Sequence, residues 1–160
     1  MMRDMNTGIT PLRLIAEATV TTSPTAVVID RVQNNNIYDG MALFMHVGVG
    51  GITFTGVNYI ALKIEDSDDN SVYTNIDASD VNYGAANPIG TGFAQAVDSN
   101  GFVRLINAAK GSADATPFKV SYVGGKRYVR VTAVLGGTHA TGTLVGLAGV
   151  LGYPRIMPAA

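Results

Sequence analysis

The chain contains neither cysteine nor tryptophan in its 160 residues. Without cysteine it has no thiol nucleophile, no thiolate metal ligand and no disulfide framework. A domain of this length buries about 68–70% of its unfolded surface, so it needs neither a disulfide nor a metal ion to fold. The length also predicts a single domain over residues 1–160.

Charge is scarce as well. Charged residues make up 14% of the chain, against about 25% in a typical soluble domain. Eleven basic residues nearly balance twelve acidic ones, and no basic stripe is present, which argues against a nucleic-acid partner. A surface with few charges and 19 glycines is expected where other subunits cover it. A β-rich domain with many tight turns has the same composition.

The sequence predicts neither a signal peptide nor a membrane span. Its first twenty residues mix charges and lack a continuous apolar run. Residues 133–152 (AVLGGTHATGTLVGLAGVLG) carry no formal charge, and their length alone would permit a membrane helix. The glycines and threonines in that stretch instead favour two β-strands, so no membrane partner is predicted.

Alternation of apolar and polar residues with a period of two dominates the chain. In residues 127–135, Val129, Val131 and Ala133 are predicted to face the core. Further strands are predicted at residues 16–21, 25–32, 41–50, 59–65, 72–76, 102–107, 118–123 and 143–151. About nine short strands at this spacing predict an all-β fold, an antiparallel β-sandwich of jelly-roll type.

Less regular segments surround these strands. Residues 1–11 are predicted to form an N-terminal arm, residues 12–152 the β core and residues 153–160 a C-terminal tail. Residues 82–96 are predicted to form a long loop, and residues 103–109 could form a short helix instead of a strand.

Recognisable catalytic motifs are missing from the sequence. The histidines, His46 and His139, lie in an apolar strand and a glycine-rich turn, outside any zinc-binding spacing. Each is predicted to be a partly buried side chain with one hydrogen bond. The G-x-S-x-G motif of a serine nucleophile does not occur. The chain is therefore predicted not to be an enzyme and to have no cofactor.

Two adjacent glycines, Gly124 and Gly125, precede a lysine in the stretch VGGKRY. They do not complete a phosphate-binding loop, because Arg127 stands where a hydroxyl residue would bind magnesium. Glycine readily supplies the positive φ that tight hairpin turns need. The pair is therefore predicted to be a two-residue hairpin turn.

The densest cluster of polar side chains lies in residues 64–76 (IEDSDDNSVYTNI). Asp66, Asp68 and Asn70 fit the first three ligand positions of a calcium-binding loop. However, Ser71 occupies that loop's glycine position, and Asp77 is one methylene shorter than the usual bidentate glutamate. A hairpin connection capped by Asp and Asn side chains is favoured, with the calcium site as the alternative.

Three stretches together resemble a family of small tailed-phage structural proteins. They are LKIEDSDDNSVYTNI, YVGGKRYVRVTAVLGG and GTLVGLAGVLGYPRIMPA. In that family the first looks like an E-S-D-D-G turn, the second like Y-x-G-x-K-R-Y-x-R-V, and the third ends in a G-x-P-R tail. The family is encoded near the major capsid protein and is generally taken to comprise head decoration, or cement, proteins.

The resemblance covers roughly residues 59–158 and implies a structural virion protein on the phage head surface. The protein would be made in the host cytoplasm, and its partners would be the major capsid protein and itself, with a homotrimer favoured. This sequence departs from the family in having Asn70 where glycine is usual, Asp66 inserted after Glu65, and a longer loop at residues 82–96. The resemblance implies no catalytic residue.

The arm and the tail are the predicted interface. The residues concerned are Met1, Met2, Arg3, Asp4, Met5, Arg155, Ile156 and Met157. Two other functions remain open: a different phage structural role, in a tail tube or head–tail joint, and a carbohydrate-binding β-sandwich. The lack of tryptophan and the scattered tyrosines disfavour the second.

Overall fold

The computed structural model describes residues 8–33, 36–48, 52–84, 93–94, 97–108 and 117–155. Residues 1–7 of the predicted arm, residues 156–160 of the predicted tail, and residues 85–92 and 95–96 of the predicted 82–96 loop lie outside this range. Strands dominate the described residues. They are β1 (Ile9–Val20), β2 (Val27–Asp30), β3 (Val32–Gln33), β4 (Asn36–Val47), β5 (Tyr59–Ser67), β6 (Thr74–Asn75), β7 (Val81–Asn82), β8 (Phe93–Ala94), β9 (Phe102–Ile106), β10 (Phe118–Tyr122), β11 (Tyr128–Gly136) and β12 (Thr143–Pro154).

The strands form two sheets. Sheet A has the order β1-β12-β4-β10-β7, with β3 paired to β4, and sheet B has the order β2-β11-β5-β9-β8, with β6 paired to β5. The main pairs are antiparallel and nested: β1 with β12, β2 with β11, β4 with β10, and β5 with β9. A chain folded back on itself in this order and wrapped into two sheets is a jelly roll. The predicted fold class is confirmed.

The core lies between the two sheets and follows the predicted alternation. Val129, Val131 and Ala133 of β11 are fully buried, and so are Leu43 of β4 and Val145 of β12. Truncating one such aliphatic side chain to alanine typically costs about 2–5 kcal/mol when it leaves a cavity. The burial of alternate residues therefore fixes which face of each strand points inward.

The stretch that could have been a membrane helix is divided between two strands, as predicted. Residues 133–136 end β11, and residues 143–152 belong to β12. The part of the chain that the structure describes holds no helix long and apolar enough to cross a membrane. Residues 102–106 form β9, so the alternative of a short helix there is wrong.

The predicted arm and tail boundaries were wrong by a few residues. β1 begins at Ile9, which pairs with Gly152, and Pro154 of β12 pairs with Tyr38. Residues 9–11 and 153–154 therefore belong to sheet A. A deletion meant to remove the arm alone must end before Ile9.

The prediction of a hairpin turn at Gly124 and Gly125 is also wrong. β10 lies in sheet A and β11 in sheet B, so the residues between them cross from one sheet to the other. Neither glycine has a positive φ. Gly124 is needed for space, because a Cβ there would lie 2.5 Å from the Tyr122 hydroxyl oxygen and 2.7 Å from an Asp80 carboxylate oxygen.

This difference between the two glycines is testable by single alanine substitutions. Gly124→Ala should lower the free energy of unfolding by about 1–3 kcal/mol, as overpacking of a filled site does. Gly125→Ala is the matched control, since a Cβ at Gly125 meets no atom within 4 Å. Urea unfolding of both variants measures the effect. Equal losses would contradict the close contact of Gly124 with Tyr122 and Asp80.

Candidate interaction surface

The acidic stretch divides into a strand end and a turn. β5 continues to Ser67, so Asp66 lies in the strand and not in the turn. It follows Ile60, Leu62 and Ile64 at alternate positions, and its side chain is buried like theirs. Because Asp66 pairs with Thr74 of β6, the predicted hairpin connection between the two strands is confirmed.

The remaining residues of the turn cap its backbone. The Asp69 carboxylate accepts hydrogen bonds from the backbone N–H of Val72 at 3.0 Å and of Ser71 at 2.9 Å. These bonds, and one from the Ser67 hydroxyl, hold the pKa of Asp69 below its ordinary value. Asn70 has a φ of 59°, in the left-handed region that asparagine tolerates. This is the turn chemistry expected of Asp and Asn.

The three candidate calcium ligands turn to different partners. Asp66 accepts from the hydroxyl groups of Tyr122 and Thr74. Asp68 forms an ion pair with Lys126. The side-chain oxygen of Asn70 accepts a hydrogen bond from the Tyr73 hydroxyl. Among the described residues, no group of three or more acidic or histidine side chains is placed to hold a metal ion.

The hydrogen bond between Tyr122 and Asp66 links the two sheets. Tyr122 lies in β10 of sheet A and Asp66 in β5 of sheet B. The tyrosine hydroxyl donates to Asp66 Oδ2 at 2.8 Å, and both residues are buried. Burial of the phenol, and then its bond to Asp66, raise the pKa of Tyr122 far above its ordinary value. The phenol therefore keeps its proton and remains a donor.

A buried arginine completes this polar interior. Arg31, which follows β2, has only 6% of its surface exposed. Its guanidinium donates to the carbonyl oxygens of Tyr38 at 3.1 Å, Asp39 at 2.7 Å, Gly124 at 2.7 Å and Lys126 at 2.8 Å. Two of these carbonyls belong to β4, and two to the crossing between the sheets.

The guanidinium of Arg31 also lies over an aromatic ring. Its central carbon is 5.3 Å from the centroid of the Tyr122 ring, within the range of cation–π attraction. Burial lowers the pKa of Arg31, and the charge of nearby Asp39 opposes that shift. An arginine stays protonated under such conditions. Its charge is therefore held by carbonyl dipoles and by the tyrosine ring.

The three stretches that carry the family resemblance meet around this arginine. The first and second stretches are joined by the ion pair between Asp68 and Lys126 and by the buried hydrogen bond from Tyr122 to Asp66. The third contributes Arg155, whose Nε donates to Asp39 Oδ1 at 2.6 Å. Arg31 bonds to the carbonyls of both Lys126 and Asp39. Arg31, which none of the three motifs contains, thus contacts the second stretch directly, and it reaches the first through Tyr122 and the third through Asp39.

The first and last described residues lie at this same end of the sandwich. Ile9 of β1 pairs with Gly152 of β12, and the Arg155 backbone N–H donates to the Ile37 carbonyl at 2.8 Å. The chain therefore continues into residues 1–7 and 156–160 from neighbouring strands. Of the predicted interface residues, Arg155 lies here, while Met1, Met2, Arg3, Asp4, Met5, Ile156 and Met157 lie outside the described residues.

Exposed apolar side chains surround these chain exits. Ile9 and Ile37 are 40% and 38% exposed, and Tyr153 is 78% exposed. Tyr153 has a φ of 58°, which is unusual for a bulky residue and often marks a functional position. Its ring lies against Gly40, where a Cβ would come within 2.8 Å of it. Ile9, Ile37 and Tyr153 are called the terminal patch below.

The two histidines occupy structural positions away from the terminal patch. His46 Nδ1 lies 3.0 Å from Glu17 Oε1, to which it donates, on the outer side of sheet A. His139 is buried, and its Nε2 donates to the Gly136 carbonyl at 2.9 Å. Each makes one hydrogen bond, as the sequence predicts.

The chain matches no protein-family model, curated protein or solved structure with which it was compared.

The importance of Arg31 can be tested by replacement with methionine. Arg31→Met leaves four carbonyl oxygens without their hydrogen-bond donor. The free energy of unfolding should therefore fall by roughly 3–5 kcal/mol, as it does when one partner of a buried charged interaction is removed. Arg127→Met is the matched control, since Arg127 is 48% exposed and pairs with Asp30 at the surface. Such surface pairs contribute about 0–1 kcal/mol. Similar losses in both variants would show that Arg31 does not hold this end together.

The raised pKa of Tyr122 predicts a loss of stability at alkaline pH. Above pH about 10 an unfolded tyrosine ionises, whereas the folded protein keeps this proton, so the unfolded state binds fewer protons. Stability should then fall as pH rises, by up to about 1.4 kcal/mol per pH unit from this group. Tyr122→Phe should reduce that slope, measured by urea unfolding between pH 8 and pH 11. Identical slopes in the two proteins would contradict the assignment.

Proposed function

We propose that the protein is a structural virion component, a decoration protein that binds the outer surface of a tailed-phage head. In this role it stabilises the lattice of the major capsid protein and performs no catalysis. The observation that carries the proposal is the convergence of the three family-like stretches on one end of the sandwich. That end also bears the terminal patch and both chain exits.

The use of polar groups at this end supports a structural role. Arg31 is occupied by backbone carbonyls, and Asp66 by two hydroxyl groups. Asp68 and Asp39 are each paired with a basic side chain. Groups that are bonded in this way hold the backbone in place and are poorly available to a substrate. The terminal patch, in contrast, offers apolar area, which is what a stable protein interface needs.

A decoration protein must cover a closed lattice in many copies, usually as a symmetric oligomer. The proposed partners are therefore the major capsid protein and further copies of this chain, with a trimer favoured. The jelly-roll fold is common in viral capsid proteins, although this is an analogy at the level of the fold. The proposed location is the head surface of the virion, after synthesis in the host cytoplasm.

The same fold also occurs in lectins, so a carbohydrate-binding role is the alternative from another class. Tyrosines on the outer side of sheet B are the natural candidates for a sugar platform. However, the Arg130 guanidinium lies 4.1 Å from the centre of the Tyr73 ring, and that of Arg127 lies 4.8 Å from the Tyr128 ring. Each cation occupies one face of its ring, which leaves less of the ring for stacking against a sugar. The capsid role is therefore favoured.

The proposal can be tested by adding purified protein to phage heads that lack it. Ile37→Ser combined with Tyr153→Ser should weaken head binding at least tenfold. Burial of even one large apolar side chain contributes about 1.5–3 kcal/mol, and 1.4 kcal/mol is a tenfold change in affinity. Bound copies are counted against the major capsid protein by mass spectrometry.

The matched control for this test is Val57→Ser. Val57 is nearly as exposed as Tyr153 but precedes β5, at the opposite end of the sandwich, so binding should not change. Copy number separates a decoration protein, which covers the whole shell, from a joining protein confined to one ring. Failure of the wild-type protein to bind heads, or unchanged binding of the double variant, would refute the proposal.

A further inference from the structure

A trough of about 620 Å³ runs along the outer side of sheet A. Its floor is β12, where Gly146 and Ala148 present little or no side chain. Its walls come from β1 and β4, the strands on either side of β12. Arg13 of β1 pairs with Ala148, which pairs with Phe44 of β4. The arginine and the phenylalanine thus flank the floor at one level.

One end of the trough is closed by a bond across β12. Glu17 of β1 and His46 of β4 are two strands apart, yet their side chains lie 3.0 Å from each other. They meet over Gly146, where a Cβ would already approach the Glu17 Cβ to 3.3 Å. The occupant of the trough must therefore lie between this bond and the region of Pro11.

The side chains in the trough indicate what that occupant must be. β12 contains no charged residue along its whole length, and Phe44 is 37% exposed. Arg13 is exposed and forms no hydrogen bond or ion pair with any part of the chain that the structure describes. A narrow apolar trough with one unpaired cation fits an extended apolar segment that carries one acidic group.

We propose that residues 1–7 (MMRDMNT) of a second copy of this chain occupy the trough. This segment is rich in methionine, whose thioether packs favourably against aromatic rings such as Phe44. It also carries one acid, Asp4, to pair with Arg13, and one base, Arg3, which an extended backbone would direct to the opposite side of the segment. The inference rests on the self-association included in the proposed function, and it names the contact that joins the copies.

Lengths and directions favour a segment from another copy. Along its floor the trough extends from Val150, the partner of Pro11, to Gly146, which lies under Glu17. These four steps span about 13 Å at ~3.3 Å per residue, because two bulges in β1 place extra residues beside β12. Seven extended residues reach about 23 Å. A β-hairpin reversal at Gly8 would direct the chain's own segment beside β1, in the plane of sheet A, and not above β12. A segment from a neighbouring molecule can enter the trough lengthwise.

The test exchanges the two charges in the full-length protein. Asp4→Arg and Arg13→Glu should each weaken self-association about tenfold, measured by sedimentation velocity over a concentration series. The double variant should regain wild-type association, because the pair is restored with opposite polarity. A mixture of the two single variants should regain part of the association, because a contact between different variants is matched in either direction. A closed trimer that contains both variants has two such contacts out of three.

Two further variants control for general effects. Arg127→Glu reverses a charge outside the trough and should leave association unchanged. Ala148→Phe fills the floor and should weaken association whatever the charges are. A monomeric wild type, unaffected single variants or a double variant without rescue would overturn the inference.

Two outcomes would indicate another occupant and would also overturn it. Rescue in the double variant but not in the mixture would place the segment in its own trough. Loss of head binding by Arg13→Glu, without any change in self-association, would assign the trough to the capsid. Because self-association is measured without heads, a negative result here leaves the test of head binding independent.

Discussion

The structure depends on one buried guanidinium. Where a jelly-roll chain crosses from one sheet to the other, its carbonyls leave the ladder of strand hydrogen bonds, and buried carbonyls without donors are costly. Arg31 supplies donors to two carbonyls of the crossing before β11 and to two of β4. It thereby connects both sheets at the end where the chain enters and leaves the sandwich.

This arrangement changes the meaning of the acidic stretch. Its aspartates look like one cluster in the sequence, but the structure divides them among three tasks: a buried bond between the sheets, a surface ion pair and a turn cap. None of these tasks requires a ligand. The residues that first suggested chemistry instead hold the backbone together where the two sheets meet and where β5 turns into β6.

The sequence predicted the fold well because period-two burial is a local signal, as the inward residues of β11 illustrate. It failed where the answer depended on distant pairing. Nothing around Gly124 reveals that the strands on either side of it join different sheets. Asp66 could have been placed correctly, since it continues the alternation of Ile60, Leu62 and Ile64. The role of Arg31 could not have been predicted from the sequence, because its partners are backbone carbonyls, which every residue possesses. The trough could not have been predicted either, because its location depends on the pairing register between β1, β12 and β4.

The nesting of the strands has a consequence for biosynthesis. β12 lies between β1 and β4, so neither of these can complete its pairing until residues 143–154 have been synthesised. At about 5–20 residues per second, β1 waits on the order of ten seconds for that partner. Contacts so distant in sequence form slowly, and the edges of β1 and β4 stay open meanwhile. Sheet A is therefore the part of the nascent chain most in need of protection from aggregation.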